Sequence, residues 1–351
     1  MTTQESTLIQ ANPLFNPIGN DQVEHRTIIK GSTTGLFNLN AVKYSWAKGL
    51  YQVMVGNFWL PEKVSGLKDD QRDFHSTLTP EEQRAYKGIL SFLIFLDSIQ
   101  TVNLPNFSDY ITAPEVNLLI SIHAYQEAIH SQSYATILES VVSPEEREEI
   151  YYFWRTDNVL LERNKYIGGV YQEFIDRPDD KTFFRALVAN FLLEGLYFYN
   201  GFAFFDTLVD MMKMPATGRM IAYIRRDELT HMTLFANILR EIKREFPDVY
   251  SESTIIELTR TAVEQEITWS NHILGSKIMG INGETTAGYT KWIANQRLAM
   301  LGIAAIYPEA MVNPYKHLDR LQDPNSDKGN FFETTVINYA QSSSMKGSWD
   351  F

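Results

Sequence analysis

The chain contains no cysteine. That excludes disulfides, thiolate metal ligands and any reaction in which this polypeptide itself supplies a thiol. It also has no block of basic residues. Its 31 Lys and Arg are outnumbered by 43 Asp and Glu, for a net charge of −12, which repels phosphate backbones and anionic membranes, so neither nucleic acid nor a membrane is expected as a partner. The N-terminal MTTQESTLIQANPLFNPIGN has no basic start followed by an apolar run, so no secretory signal is read there and a cytoplasmic location is expected. The longest apolar run, FRALVANFLLEGLYFYNGFAFFDTLVDMM, is broken by Arg185, Asn190, Glu194, Asn200 and Asp206, a pattern that suits a buried helix better than a bilayer span. No succession of alternating strands and no short-period repeat is present.

Helix signals are abundant. TPEE at 79–82 and SPEE at 143–146 each offer a hydroxyl N-cap, a proline at the first helical position and a glutamate at the third, and TAPE at 112–115 is a looser version. Apolar residues at three-to-four spacing follow over roughly 80–103, 113–140, 144–172, 181–212, 216–245, 253–280 and 285–305. The expectation is an all-α chain of 351 residues, 44% hydrophobic and 13% aromatic, with ample core material. Residues 1–35 read as a polar arm, 36–320 as one helical domain and 321–351 as a flexible tail carrying isolated aromatics.

Within the helical region, Glu127 and His130 stand three apart, as do Glu228 and His231, so each pair can present an oxygen and a nitrogen from one helical face. One such pair is explained by a solvated glutamate and a core histidine. Two pairs, with Asp97 in LSFLIFLDSIQ and Glu194 in VANFLLEGLYFY, call for a positive partner, because an isolated ionised carboxylate in apolar surroundings is costly. The order, a carboxylate helix before an ExxH helix in each half, matches ferritin-like bundles, whose four helices hold two metal ions. Carboxylates with two imidazoles and no thiolate suit iron or manganese; zinc hydrolysis is less natural with so many carboxylates. Tyr134, four residues after His130, shares its face at a rise of about 6 Å. An aromatic at that spacing is more often core than cofactor. Phe198, Phe202, Ile221 and Ile224 could form a dry cage around a reactive species.

The segments NFWLPEKV, LDSIQ, EAIHSQSY, LLEGLYFY and RRDELTH, in this order, resemble the small, radical-generating subunit of class I ribonucleotide reductase, from about Phe58 to the C-terminus. The resemblance implies that Asp97, Glu127, His130, Glu194, Glu228 and His231 hold two metal ions and that Tyr134 becomes a tyrosyl radical. It implies further that Trp59 and Asp227 connect His130 to a radical-transfer route, and that Tyr339, assisted by Glu333, hands the radical equivalent to a large catalytic subunit. An iron pair is the first expectation for the cofactor, with Mn–Mn or Mn–Fe as alternatives; manganese would imply a flavodoxin-like activator. A homodimer is implied as well. The missing cysteines fit, since nucleotide reduction in this family needs thiols that only the large subunit supplies. His123 stands where some relatives carry tryptophan, and a hydrogen bond to Glu194 is expected of it, with a satisfied core histidine as the alternative. Two other readings compete: a fatty-acid-binding oxidase of the same superfamily and an iron-storage protein of ferritin type.

Overall fold

The computed structural model describes residues 11–321. Its regular elements are helices: α1 (Ser45–Gly56), α2 (Leu67–Ser76), α3 (Pro80–Tyr110), α4 (Pro114–Val141), α5 (Pro144–Thr156), α6 (Asn158–Asp176), α7 (Asp180–Leu192), α8 (Tyr199–Asp210), α9 (Pro215–Glu245), α10 (Glu252–Ile273) and α11 (Gly283–Met300). A π-helical turn, Leu193–Tyr197, joins α7 to α8. Among the described residues the β component is limited to one isolated antiparallel bridge, Ile29 to Ile111.

The helix starts follow from local chemistry. Thr79 Oγ1 accepts from the Glu82 amide at 3.2 Å while Glu82 returns a bond to the Thr79 amide at 2.8 Å. Ser143 and Glu146 form the same reciprocal pair at 3.2 and 3.0 Å, so two orphan amides are satisfied at each start. TAPE is different: Pro114 opens α4, but Ala113 at the cap offers no side-chain bond. The helix expected over 144–172 is two helices, because Asp157 accepts from the amides of Val159 and Leu160 and so starts α6 at Asn158, with only Asp157 itself between it and the end of α5. The helix expected to end near 103 runs on through Pro105 to Tyr110.

The centre of the molecule is made by α3, α4, α7 and α9, with α5, α6, α10 and α11 packed outside them and α1 and α2 laid across α4 and α9. The α3 helix is long and apolar enough to cross a membrane by length and composition. It lies instead inside the bundle, burying Leu93, Leu96 and Phe107 among neighbouring helices. The expected polar arm is anchored within the fold at Arg26–Ile29. Arg26 pairs with buried Glu115 at 3.2 Å, and Ile28 and Ile29 are fully buried, so at these residues the arm reading is corrected: burial of two isoleucines and an ion pair hold the backbone against α4. The positions Glu333 and Tyr339, with the tail from 322 onward, lie outside the described residues.

Candidate metal centre

Each helical periodicity delivers its polar groups to one place. Asp97 comes from α3; His123, Glu127 and His130 come from one face of α4; Glu194 comes from the π turn; Asp227, Glu228 and His231 come from α9. All eight are 0% exposed. Ligand-type atoms of Asp97, Glu127, His130 and Glu228 lie within 4.8 Å of one another, and so do those of His123, Glu127, Glu194 and His231. Glu127 belongs to both groups, and Glu228 reaches both ExxH histidines, at 3.3 Å from His130 Nδ1 and 3.0 Å from His231 Nδ1. Two cations would fit here, with Glu127 and Glu228 within reach of both groups of donors.

The donor set itself argues for cations. Asp97 Oδ1, Glu127 Oε2, His130 Nδ1, Glu194 Oε2 and Glu228 Oε1 are buried without a hydrogen-bond partner, an expensive condition unless these atoms coordinate something. Burial, and then the charge of Glu127, push the Asp97 carboxyl well above its ordinary range. Burial, and then Glu194 and Glu127, do the same to Glu228. Burial also opposes the charge of Glu127, yet its contacts with His123, His130 and His231 hold it well below the usual carboxylate range. Acids crowded together in this way favour a bound cation, which relieves their mutual repulsion. Oxygen-rich donors with imidazoles suit iron or manganese.

Of the other residues singled out in the sequence, Tyr134, Asp227 and His123 contact this cluster directly and Trp59 reaches it through Asp227. Tyr134, 1% exposed, donates from its hydroxyl to Asp97 Oδ2 at 2.8 Å. Burial and the Asp97 carboxylate raise the phenol well above its ordinary pKa. Trp59 Nε1 donates to Asp227 Oδ2 at 2.8 Å, and the same oxygen lies 3.4 Å from His130 Nε2. The Trp59 indole stacks on Tyr223, with centroids 5.0 Å apart, and borders a mainly apolar cavity of about 350 Å³ formed with Phe58, Tyr125 and Gln126. Phe198, Phe202, Ile221 and Ile224 are fully buried, and the Phe198 ring meets Phe92 and Phe202, each at 5.9 Å. His123 Nε2 lies 3.2 Å from Glu194 Oε1 and 3.0 Å from Glu127 Oε1, and its ring stacks on His231 at 3.7 Å. Burial works against the charge of His123, but Glu194 and Glu127 outweigh it and push its pKa up to about 9.

Three amides escaped the sequence reading. Gln100 donates to Glu194 Oε1 and, at 2.8 Å, to Asn190 Oδ1. Asn190 also approaches Glu194 Oε1, at 3.4 Å, and accepts from the Tyr171 hydroxyl at 3.2 Å. Gln126 Oε1 faces His231 Nε2 at 3.0 Å, and its amide nitrogen donates to the Met54 carbonyl. The available signal was position: a buried amide three residues after Asp97, four before Glu194 and one before Glu127. Together they crowd donors onto Glu194 Oε1 and leave Oε2 for the cluster, and they fix the outer nitrogen of His231.

Comparison with known proteins agrees with this site. The family model for the ribonucleotide reductase small chain matches residues 36–314. The ribonucleoside-diphosphate reductase subunit beta of Treponema pallidum is 41% identical over 347 residues, covering 97% of this chain and 98% of that protein. Its namesake in Halalkalibacterium halodurans is 41% identical over 323 residues, covering 91% and 93%. Among solved structures, the ribonucleotide reductase R2 subunit from Clostridium botulinum superposes with a TM-score of 0.87 at 42% identity, covering 90% of this chain and 100% of that one. A dimanganese(II) NrdF from Streptococcus sanguinis, 20% identical with a TM-score of 0.73 over 82% of this chain and 99% of its own, shares the fold. With matching sequence, fold and buried carboxylate and histidine cluster, this chain belongs to the ribonucleotide reductase small-chain family.

Proposed function

We propose that Asp97, Glu127, His130, Glu194, Glu228 and His231 hold two metal ions, an iron pair first, and that Tyr134 is the side chain oxidised and kept as a radical. When bound, such a pair supplies one-electron oxidising power after reaction with an oxygen-derived oxidant. Everything else follows from the chain's own groups. The observation that carries the reading is the 2.8 Å hydrogen bond from Tyr134 to Asp97 Oδ2. A phenol whose pKa is raised by burial and a neighbouring carboxylate stays protonated, so loss of its electron must be accompanied by loss of its proton, and Oδ2 is placed to take it. Phe198, Phe202, Ile221 and Ile224 would keep water from the radical.

The His130, Asp227 and Trp59 contacts support a hydrogen-bonded route from the metal side to the edge of the molecule. From there Tyr339, with Glu333, would pass the radical equivalent to the large subunit, which supplies the thiols that this cysteine-free chain lacks. His123 would tune the geometry of Glu194 through its contact at 3.2 Å. A homodimer in the cytoplasm is the assembly we assign, and a manganese-loaded form would need a flavodoxin-like activator. The test is reconstitution with a cysteine-bearing large subunit. Deoxyribonucleotide should form only with both proteins present, and Tyr339→Phe should abolish it while leaving the stored radical intact. Full turnover by Tyr339→Phe would overturn the route.

A further inference from the structure

Of the expected ligands, Glu194 alone is carried by a π-helical turn rather than an α-helix. A π turn spans five residues per hydrogen bond, is poorer in packing and hydrogen bonding than an α turn, and survives only where the surroundings hold it. Two buried arginines reach it from outside. Arg297 of α11, 8% exposed, donates from Nε to the Gly195 carbonyl at 2.6 Å. Arg163 of α6, 3% exposed, donates from Nη2 to the Tyr197 carbonyl at 3.0 Å. The two accepting carbonyls flank Leu196, one and three residues beyond Glu194.

The two arginines differ in what compensates their charge. Arg163 is paired with buried Glu266 and lies over the Phe92 ring at 3.8 Å. Arg297 makes no ion pair among the described residues; it lies over the Tyr199 ring at 4.7 Å, and a backbone carbonyl is its hydrogen-bond acceptor. Burying a guanidinium is costly, and a charge-assisted bond to a carbonyl offsets part of that cost only if the carbonyl is where the π turn puts it. Residue 195 is made for this approach. A Cβ on Gly195 would stand 2.9 Å from Met232 Sδ and 3.2 Å from Arg297 Nε, and Met232 directly follows the ligand His231.

We propose that Arg163 and Arg297 are positioning residues: they hold the π turn open and thereby set the Glu194 carboxylate in the metal centre. Without them the turn can relax to α-helical register. A one-residue change of register rotates a side chain by about 100°, which would withdraw Glu194 while leaving Asp97, Glu127, His130 and Glu228 in place. This rests on the two-metal reading given above.

The experiment is anaerobic titration of the metal-free protein with Mn(II), followed by electron paramagnetic resonance and by binding isotherm. The parent should take up two ions in coupled form. Arg297→Met should keep one ion at parent affinity, show the six-line signal of a single Mn(II), and bind the second ion more than about tenfold more weakly. Arg297→Lys, which can still donate to the carbonyl, should recover part of the loss, and Gly195→Ala should reproduce it. Because Arg163→Met leaves Glu266 buried without its cation, Arg163 is tested in a Glu266→Gln background, with that single variant as control. Unchanged binding of both ions in Arg297→Met and Gly195→Ala, or equal weakening of both ions, would overturn the proposal. A parent that binds no ion pair would instead overturn the metal-centre reading on which it rests.

Discussion

Asp227 is a single carboxylate answering three neighbours. Its Oδ2 accepts from Trp59 and faces His130, while Oδ1 accepts from Arg226 at 3.3 and 3.2 Å. Trp59 is thereby tied to His130 without touching the other carboxylates of the cluster, so Trp59→Phe should leave metal content and the tyrosyl signal at parent level. It should lower nucleotide reduction with the large subunit by at least about 100-fold, roughly 2.7 kcal/mol at 1.36 kcal/mol per decade; parent-like turnover would remove Trp59 from the route. Gln100→Leu makes a second residue-scale test. It deletes a donor to Glu194 Oε1, and Mn(II) affinity at the Glu194 side should fall about 10- to 100-fold, the usual effect of losing an outer partner of a metal ligand. An unchanged isotherm would show that Asn190 and His123 suffice. The carboxylate and histidine cluster was legible because two Glu–His pairs at three-residue spacing fall within apolar helices. Gln100, Asn190 and Gln126 were not, since an amide in an apolar helix is ordinarily a surface or packing residue and only its partner reveals its use.

At the scale of elements, the two capping boxes and the long apolar faces made α3, α5 and α9 readable from periodicity. The break between α5 and α6 was hidden for a physical reason: the Asp157 amide donates to the Phe153 carbonyl at the end of one helix while its side chain caps the next, so the apolar rhythm barely changes across it. Asp157 Oδ2 also lies 2.6 Å from His272 Nε2 on α10. Asp157→Ala should reduce unfolding free energy in urea by about 1 kcal/mol, mostly through the lost cap, since partly exposed ion pairs contribute little. Asp157→Asn, still able to cap, should retain most of it, and equal losses in both variants would assign the effect to the His272 contact instead. The π turn carried no sequence signal at all. Residue propensities do not encode it; Arg163 from α6 and Arg297 from α11 meet it only in the folded state.

The molecule as a whole encloses four carboxylates and three histidines in one dry place, and its behaviour should follow the balance between protons and metal there. Burial and the neighbouring carboxylates raise the pKa values of Asp97 and Glu228, so an arriving cation competes with protons for these oxygens. Loading should therefore release protons, and the apparent affinity for Mn(II) should weaken as pH falls, by about tenfold per pH unit for each proton displaced. Calorimetry in buffers of different ionisation enthalpy measures the release directly; a pH-independent affinity would contradict this competition. By mass action, free metal at 100 times its dissociation constant should add about 2.7 kcal/mol to folding stability, and chelation should remove it. The all-α architecture and the meeting of Asp97, Glu127, His130, Glu194, Glu228 and His231 in one cluster were readable from the sequence, whereas the burial of Arg26–Ile29 against α4 was not, because that stretch has no periodicity to announce its contacts. The central claim, a metal pair beside an oxidisable phenol, is tested most directly by electron paramagnetic resonance after ferrous iron and air are supplied to the parent and to Tyr134→Phe. A tyrosyl signal in the parent that vanishes in the variant, with two iron ions per chain in both, is the predicted result; a signal that survives in Tyr134→Phe would contradict the account.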